Sequence, residues 1–298
     1  MNPTFMQVID DFLTYLAGDR AYSKQTIETY RIALQDFENY FVHLDEGLNW
    51  QTIDADIVRQ WVAMEMEQGH GGRTMSKKLS AVRSLYRYLL RMGRVRVNPT
   101  SLVKNPKASK PLPAFVKESE MDRLFDEVVF PQNFTGVRDR TILLTFYTTG
   151  IRVAELMGLN VSDVNLSAGE LKVTGKRSKQ RIVPFGPELN RSLRDYLMER
   201  SRQACETEAL FLDEKNRRIN YWRVRQLVEN YLSLVTTQKK KSPHVLRHTF
   251  ATVMLNHGAD LEAIKQLLGH ESIGTTEIYT HTTFAELKKE YEQAHPRA

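Results

Sequence analysis

The run Asn105-Pro106-Lys107-Ala108-Ser109-Lys110-Pro111-Leu112-Pro113 constrains this chain more than any other feature. Its three prolines fix φ, remove backbone donors and push the residues before them toward extended backbone, so neither a helix nor a central strand crosses it. A chain of 298 residues interrupted there reads as two domains, each long enough to bury its own core. The expected boundaries are 1–103 for a helical domain, 104–114 for a proline- and lysine-rich linker, and 115–298 for a second domain.

Before the linker the apolar residues recur at helical spacing. Phe5, Val8, Ile9, Phe12 and Leu16 predict one helix, and Ser23 is placed to cap a second that carries Ile27, Tyr30, Leu34, Phe37 and Phe41. A third is expected from near Asp54 through Trp61, and a fourth carries Met75, Leu79, Val82, Tyr86 and Leu89. Nothing in this half alternates as a strand does.

After the linker, Glu118 to Val129 and Arg138 to Tyr147 read as helices, and Gly150 breaks the pattern before another begins at Ile151. Leu171-Lys172-Val173 and Arg181 to Phe185 are β-prone runs around a turn that holds Lys176, Arg177, Ser178 and Lys179. Helices are expected again over Glu188 to Gln203 and Trp222 to Leu234, and from Ser242-Pro243 to about His257. Asp260 caps the next, and the capping box Thr283-Phe284-Ala285-Glu286 opens the last. The fold class expected is therefore mainly α with a small antiparallel sheet in the second domain.

Charge is distributed unevenly. Residues 1–70 sum to −8, whereas residues 71–110 hold eleven Lys and Arg and no Asp or Glu, within a net charge of +6 for the whole chain. On the fourth helix Arg83, Arg87, Arg91 and Arg94 recur every three or four residues away from the apolar face, with Lys77 and Lys78 beside them. A solvated helix face normally mixes signs, because like charges at i,i+4 repel, so an unmixed stripe points to a polyanion. With 41% hydrophobic residues the chain is neither disordered nor collagen-like. No run of 18 apolar residues exists, and Met1 to Ala17 is amphipathic and acidic rather than a basic region leading into an apolar block. Neither a membrane span nor secretion is expected. The single cysteine, Cys205, excludes an internal disulfide and a cysteine-based metal site, and fits a reducing, cytoplasmic setting.

Three segments of the second domain carry reactive side chains. In Thr149-Gly150-Ile151-Arg152-Val153-Ala154-Glu155 an acid follows an arginine by one helical turn and is placed to orient it, although alone this is also an ordinary helix start. In Ser242-Pro243-His244-Val245-Leu246-Arg247-His248 the pair His244 and Arg247 share one face. His244 and His248 at i,i+4 also have metal-ligand spacing, but the glutamate of a zincin and a third ligand are missing, so no metal is expected. The segment from Leu267 to His281 joins His270 to Tyr279, which by itself reads as readily as a packed core tyrosine.

Taken together, two arginines, two imidazoles, a hairpin lysine and a tyrosine make a phosphate site with a nucleophile. Guanidinium forks match the nonbridging oxygens of a phosphodiester transition state. A tyrosine with a pKa of ~10 needs a neighbouring base or a cationic field to attack phosphorus, and His244 and the arginines are placed to supply these. A lysine on a turn can protonate the leaving 5′-oxygen.

On these motifs the sequence resembles the tyrosine recombinases, and within them the cellular Xer recombinases that resolve chromosome dimers. The resemblance runs from the helical first domain through the linker to the closing His295-Pro296-Arg297-Ala298. It implies that Arg152 in TGIRVAEL, Lys176 in TGKRSKQRIVPF, His244 and Arg247 in PHVLRHTFAT, His270 in LLGH and Tyr279 in TTEIYTH are catalytic, with Tyr279 the nucleophile and Glu155 in support. The hairpin reads GKRSKQR where the Xer pattern resembles GKGNKER, so either Lys176 or Lys179 is the lysine that reaches the leaving oxygen; Lys176 is favoured.

The resemblance further implies a two-domain clamp on double-stranded DNA at an inverted-repeat site, with Arg83, Arg87, Arg91, Arg94, Lys77, Lys78, Arg177, Lys179, Lys239, Lys240 and Lys241 on the DNA. It implies a tetramer of this chain, or of this chain and a related recombinase, on two sites. The last helix would dock on a neighbour through Phe284 and Leu287, or else cap its own domain. An activating DNA translocase is typical of such systems. Transesterification conserves the phosphodiester energy, so no cofactor and no metal is expected. A mobile-element integrase shares this chemistry, a type IB topoisomerase has a similar site, and a non-catalytic DNA-binding protein is the rival from another class.

Overall fold

The computed structural model describes residues 3–107, 114–175, 178–269 and 284–298, with side chains from Gln7 onward. Lys176, Arg177, His270, Tyr279 and Thr283 lie outside the described residues, as do Ala108 to Pro113 of the linker. The chain divides into two compact units, Met1–Pro111 and Leu112–Ala298. Among the described residues no helix is long and apolar enough to cross a membrane.

The first unit consists of α1 (Pro3–Gly18), α2 (Lys24–Leu44), α3 (Ala55–Glu67) and α4 (Gly72–Arg91). Local chemistry sets the starts: Ser23 Oγ accepts the Thr26 N–H at 3.2 Å, and Asp54 Oδ1 accepts those of Asp56 and Ile57, each at 2.9 Å. Phe12, Leu34, Phe37, Phe41 and Trp61 are fully buried in one core, with the Phe37 and Trp61 rings 4.6 Å apart. Helix α4 buries Met75, Leu79, Val82, Tyr86 and Leu89 against this core, as its spacing predicts, which leaves Arg73, Lys77, Arg87 and Arg91 exposed. It stops at Arg91, and Gly93 reverses the chain at φ 67°. Arg94 therefore leaves the helical stripe expected for it and pairs with Asp11 at 2.9 Å.

The second unit contains α5 (Glu118–Asp126), α6 (Phe134–Thr149) and α7 (Val153–Gly158), then β1 (Val164–Asn165), β2 (Glu170–Thr174) and β3 (Gln180–Pro184). The strands form an antiparallel sheet in the order β1-β2-β3, with Leu171 opposite Val183 and Val173 opposite Arg181. The expected hairpin is β2–β3. Strand β1 is two residues long, too short for an alternating pattern to announce it. There follow α8 (Pro187–Ser201), α9 (Tyr221–Val235), α10 (Pro243–Asn256), α11 (Leu261–Leu268) and α12 (Phe284–Ala294).

Helix α6 packs against both α8 and α10 and is buried nearly all round. Its one buried guanidinium, Arg138, is satisfied by Asp139, the Leu212 carbonyl and Glu214 at 2.9, 3.0 and 3.1 Å. In this chain α12 packs within its own unit, on α10 and α11, where Tyr291 and Ala294 join Phe250, Met254 and Leu267. Leu287 is part of that contact and Phe284 is partly exposed. The tail continues the packing: His295 stacks on Phe250 and Tyr291, and Arg297 reaches Glu188, Asp122 and Asp126.

Candidate active site

The site is built on helix ends. Helix α6 terminates at Gly150 with φ 59°, where a Cβ would lie 2.5 Å from Phe250 and 2.8 Å from Leu268. Only glycine makes that left-handed stop in that space. The chain leaves it through buried Ile151 to Arg152, whose extended backbone precedes α7. Glu155, one turn on, folds back so that Oε2 accepts the Arg152 N–H at 2.7 Å and Oε1 accepts Arg152 Nη1 at 2.8 Å.

Glu155 is 4% exposed and holds a second guanidinium. Arg181, in β3, donates Nη1 to Oε1 at 2.9 Å and Nη2 to Oε2 at 3.0 Å. Burial alone would raise the Glu155 carboxyl; the bonds from Arg181 and from the Arg152 backbone outweigh it and hold the group below its ordinary range. Gly175, the residue before Lys176, lies against the same carboxylate: a Cβ there would be 3.4 Å from Glu155 Oε1.

Three arginines take three successive carbonyls at the end of α11. Arg181 Nε donates to Leu267 O at 2.9 Å, Arg247 Nη2 to Leu268 O at 2.7 Å and Arg152 Nη2 to Gly269 O at 3.0 Å. Arg247 Nη1 also donates to Gly150 O at 2.7 Å. These carbonyls have no partner within their helices and carry the negative end of each helix dipole, so they are natural acceptors for buried cations. Arg247 is 8% exposed; burial first, then the neighbouring Arg152 and Arg181 charges, push its pKa down to about 10, against the opposing pull of Glu155. It stays charged at neutral pH. Among the described residues one carboxylate thus faces three guanidinium groups, and the excess charge is what an incoming anion would meet. The Arg152 side chain is 37% exposed, and the side-chain bonds named use two of its five donors.

Helix α10 places His244 and Arg247 together on a cleft of about 360 Å³, lined also by Lys240, Ser242 and His248. His244 is exposed, and Lys239 and Lys240 are exposed on the loop before α10 with Lys241 partly so. Lys179 is exposed on the β2–β3 turn. Of the residues expected to be catalytic, the structure therefore joins Arg152 and Arg247 through the α11 end, Glu155 directly to Arg152, and His244 and Arg247 through the cleft. Among the described residues no group of three or more His, Cys, Asp or Glu is placed to hold a metal.

The cationic residues of the first unit separate into two sets. Lys78, with a side chain 15% exposed, bonds Glu65 at 2.6 Å and Asp36 at 2.9 Å. Arg83 is held by Asn105 at 2.6 Å and by the Val103 carbonyl, and Arg91 donates to the Tyr15 hydroxyl at 2.5 Å. Lys77 and Arg87 are exposed and form no ion pair with the described residues. Arg73 is exposed beside them, one turn before Lys77.

Sequence reasoning misses two residues. Arg73 precedes the apolar pattern, yet its four-residue spacing to Lys77 continues the stripe. Arg181 reads as a strand residue, and nothing local marks it as the partner of Glu155.

The family model described as the phage integrase family matches residues 114–286, and the one described as the phage integrase N-terminal SAM-like domain matches residues 9–93. This chain belongs to the phage integrase family. It is 38% identical to the tyrosine recombinase XerC of Chlorobaculum tepidum, over 97% of this chain and 94% of that one. It is 38% identical to the tyrosine recombinase XerC of Pelotomaculum thermopropionicum, over 97% of this chain and 98% of that one. Among solved structures it is similar to XerH site-specific recombinase bound to palindromic difH substrate in a post-cleavage complex. The TM-score is 0.74 and the identity 21%, over 85% of this chain and 75% of that one, a likeness of fold. The integrase-family match spans the arginine cluster, the hairpin and the His244-Arg247 pair, the segments that the motifs singled out.

Proposed function

We propose that this chain is a site-specific tyrosine recombinase that cuts and rejoins two DNA duplexes, acting in the Xer-type resolution of chromosome dimers at cell division. The observation that carries the reading is the convergence of Arg152 and Arg247 on successive carbonyls at one helix end, with Glu155 on Arg152, beside a cleft that also takes His244.

In this reading Tyr279 attacks the scissile phosphorus. The new bond joins the tyrosine oxygen to the 3′-phosphate, the bond to the 5′-oxygen breaks, and Lys176 gives that oxygen its proton. His244 takes the proton of the tyrosine, and Arg152, Arg247 and His270 stabilise the charge on the nonbridging oxygens. Glu155 keeps Arg152 in place. The free 5′-hydroxyl then attacks the partner strand. No bond energy is lost to water, so ATP has no place in the cycle.

Duplex DNA with an inverted-repeat site is the proposed substrate, held by the two domains with the 104–114 segment between them. Arg73, Lys77, Arg87, Arg177, Lys179 and Lys239 to Lys241 supply cations for it, with Arg91 at the edge of the same stripe. The proposed assembly is a tetramer on two sites, of this chain alone or with a related recombinase, switched on by a DNA translocase.

Covalent trapping tests the reading. Purified protein is incubated with nicked fragments of host DNA that let the cleaved piece diffuse away, then denatured, and the attached DNA is sequenced. Adducts at one inverted-repeat chromosomal locus, absent with Tyr279→Phe, are expected. Adducts at several loci or at element ends make it an integrase, and adducts without sequence preference a topoisomerase. DNA binding without any adduct, whichever partners are added, leaves a binding protein.

A further inference from the structure

We propose that Arg181 is a positioning residue for strand cleavage: by occupying both oxygens of Glu155, it keeps the Arg152 guanidinium turned toward the substrate phosphate. This rests on the recombinase reading and adds a residue to it.

A carboxylate offers about four acceptor positions on its two oxygens. Arg181 meets Glu155 as a fork, Nη1 on Oε1 and Nη2 on Oε2, at 2.9 and 3.0 Å. The Arg152 backbone N–H takes Oε2 as well, at 2.7 Å. What remains for the Arg152 side chain is a single bond to Oε1 at 2.8 Å. Paired forks are the strongest arrangement an arginine and a carboxylate can adopt. Without Arg181, Arg152 would close onto both oxygens of Glu155 and give up donors that a phosphate would otherwise receive.

A second contact ties the same guanidinium to the end of α11. Arg181 Nε donates to Leu267 O at 2.9 Å, and a Cβ on Gly269 would lie 3.0 Å from Arg181 Nη1. The chain continues from Gly269 into residues 270–283, which contain Tyr279. In the other direction Arg181 is five residues beyond Lys176 and pairs across the hairpin with Val173. One side chain, 17% exposed, therefore joins the strand after the lysine, the carboxylate that holds Arg152 and the end of α11. Among the described residues it bonds Glu155 and the Leu267 carbonyl, neither of which reacts, which makes it positioning rather than catalytic.

The test compares the full-length wild type with Arg181→Met and Arg181→Lys on the nicked duplex that traps adducts. Unfolding temperature, DNA affinity and the single-turnover rate of adduct formation at saturating DNA are measured for each. Affinity is expected within about threefold of wild type, with cleavage about 30- to 100-fold slower for Arg181→Met. Arg181→Lys, whose ammonium cannot span two carboxylate oxygens and the Leu267 carbonyl, should recover less than about a tenth of the wild-type rate. In a Glu155→Gln background, where no carboxylate competes for Arg152, Arg181→Met should cost less than about threefold.

The proposal is overturned if folded Arg181 variants cleave within about threefold of wild type at saturation, or if the loss is the same factor in both backgrounds. It is equally overturned if weaker DNA binding or an unfolded fraction accounts for the whole loss. Should Arg181→Met fail to fold, Arg181→Lys carries the same comparison. A wild type that binds DNA and never forms an adduct overturns the recombinase reading itself, a result distinct from any of these.

Discussion

Arg152 and Arg181 donate to the same oxygen of Glu155 at 2.8 and 2.9 Å, although one begins a helix and the other lies in a strand. Their charges repel, and the arrangement persists because the carboxylate between them and the Leu267 and Gly269 carbonyls beside them absorb part of each charge. An anion completes the balance. In the proposed recombinase such an excess suits a phosphodiester, since these donors are held before substrate arrives.

Replacing Glu155 with Gln keeps the shape and removes the shared counter-ion. Adduct formation is expected to fall about 10- to 100-fold with DNA affinity little changed, read by single-turnover trapping. The pH dependence has a definite sign. Because the folded carboxyl is held below its ordinary range, its stabilising contribution is complete at neutral pH and is lost only as pH falls through the folded value. The gap in unfolding temperature between wild type and Glu155→Gln should be constant from about pH 8 to 5 and close below about pH 4. Closure between about pH 5 and 7 would assign the effect to another group.

Gly150→Ala forces a Cβ into a left-handed residue already in contact with Phe250 and Leu268. We expect a loss of about 2 to 4 kcal/mol in unfolding free energy, from backbone strain and overpacking together. Because the Gly150 carbonyl is an acceptor for Arg247, cleavage by the remaining folded protein should fall as well. Denaturant melts give the first number and trapping the second; an unchanged melt would remove Gly150 from the account.

The two cationic sets of the first unit predict opposite phenotypes. Arg73→Ala, Lys77→Ala and Arg87→Ala combined should weaken DNA binding and flatten the salt dependence of log K by about 0.9 for each phosphate no longer neutralised. Lys78→Met should instead leave the slope unchanged and cost about 1 to 3 kcal/mol of stability, since it leaves Glu65, which is 6% exposed, with the His70 imidazole at 2.6 Å but without its ammonium partner. Titrations at several salt concentrations separate these, and an altered slope with Lys78→Met would return that lysine to the DNA face.

His295 is buried against Phe250 and Tyr291, and burial pushes its pKa down to about 3 despite the bond to the Tyr147 carbonyl. A base depressed on folding binds its proton in the unfolded chain first, so stability falls as pH drops below ~6.5, by about 1.4 kcal/mol per unit. His295→Phe should therefore narrow the difference in unfolding temperature between about pH 7.5 and 5.0. An undiminished difference would locate the acid sensitivity elsewhere.

Much of this fold is legible because its signals are local. Ser23, Asp54 and Asp260 cap the helices they precede, and the apolar spacing of α4 sets which of its faces is buried. The hairpin is visible in its β-prone runs, whereas two-residue β1 is not. Arg94 looks like part of a helical stripe because spacing alone cannot tell where a helix stops, and Gly93 ends that one.

The candidate site divides in the same way. Residue types and short spacings are enough to show that arginines, histidines, a lysine and a tyrosine suited to phosphate chemistry occur in this chain, and that Glu155 follows Arg152 by one turn. What each cation is committed to emerges from the folded chain alone. Arg152 meets the Gly269 carbonyl across 117 residues, Arg247 that of Gly150 across 97, and Arg181 reaches Glu155 across 26. The physical reason is that helix-end carbonyls and a buried carboxylate look alike in every sequence; they choose a partner only when packing brings one guanidinium, and not another, within about 3 Å.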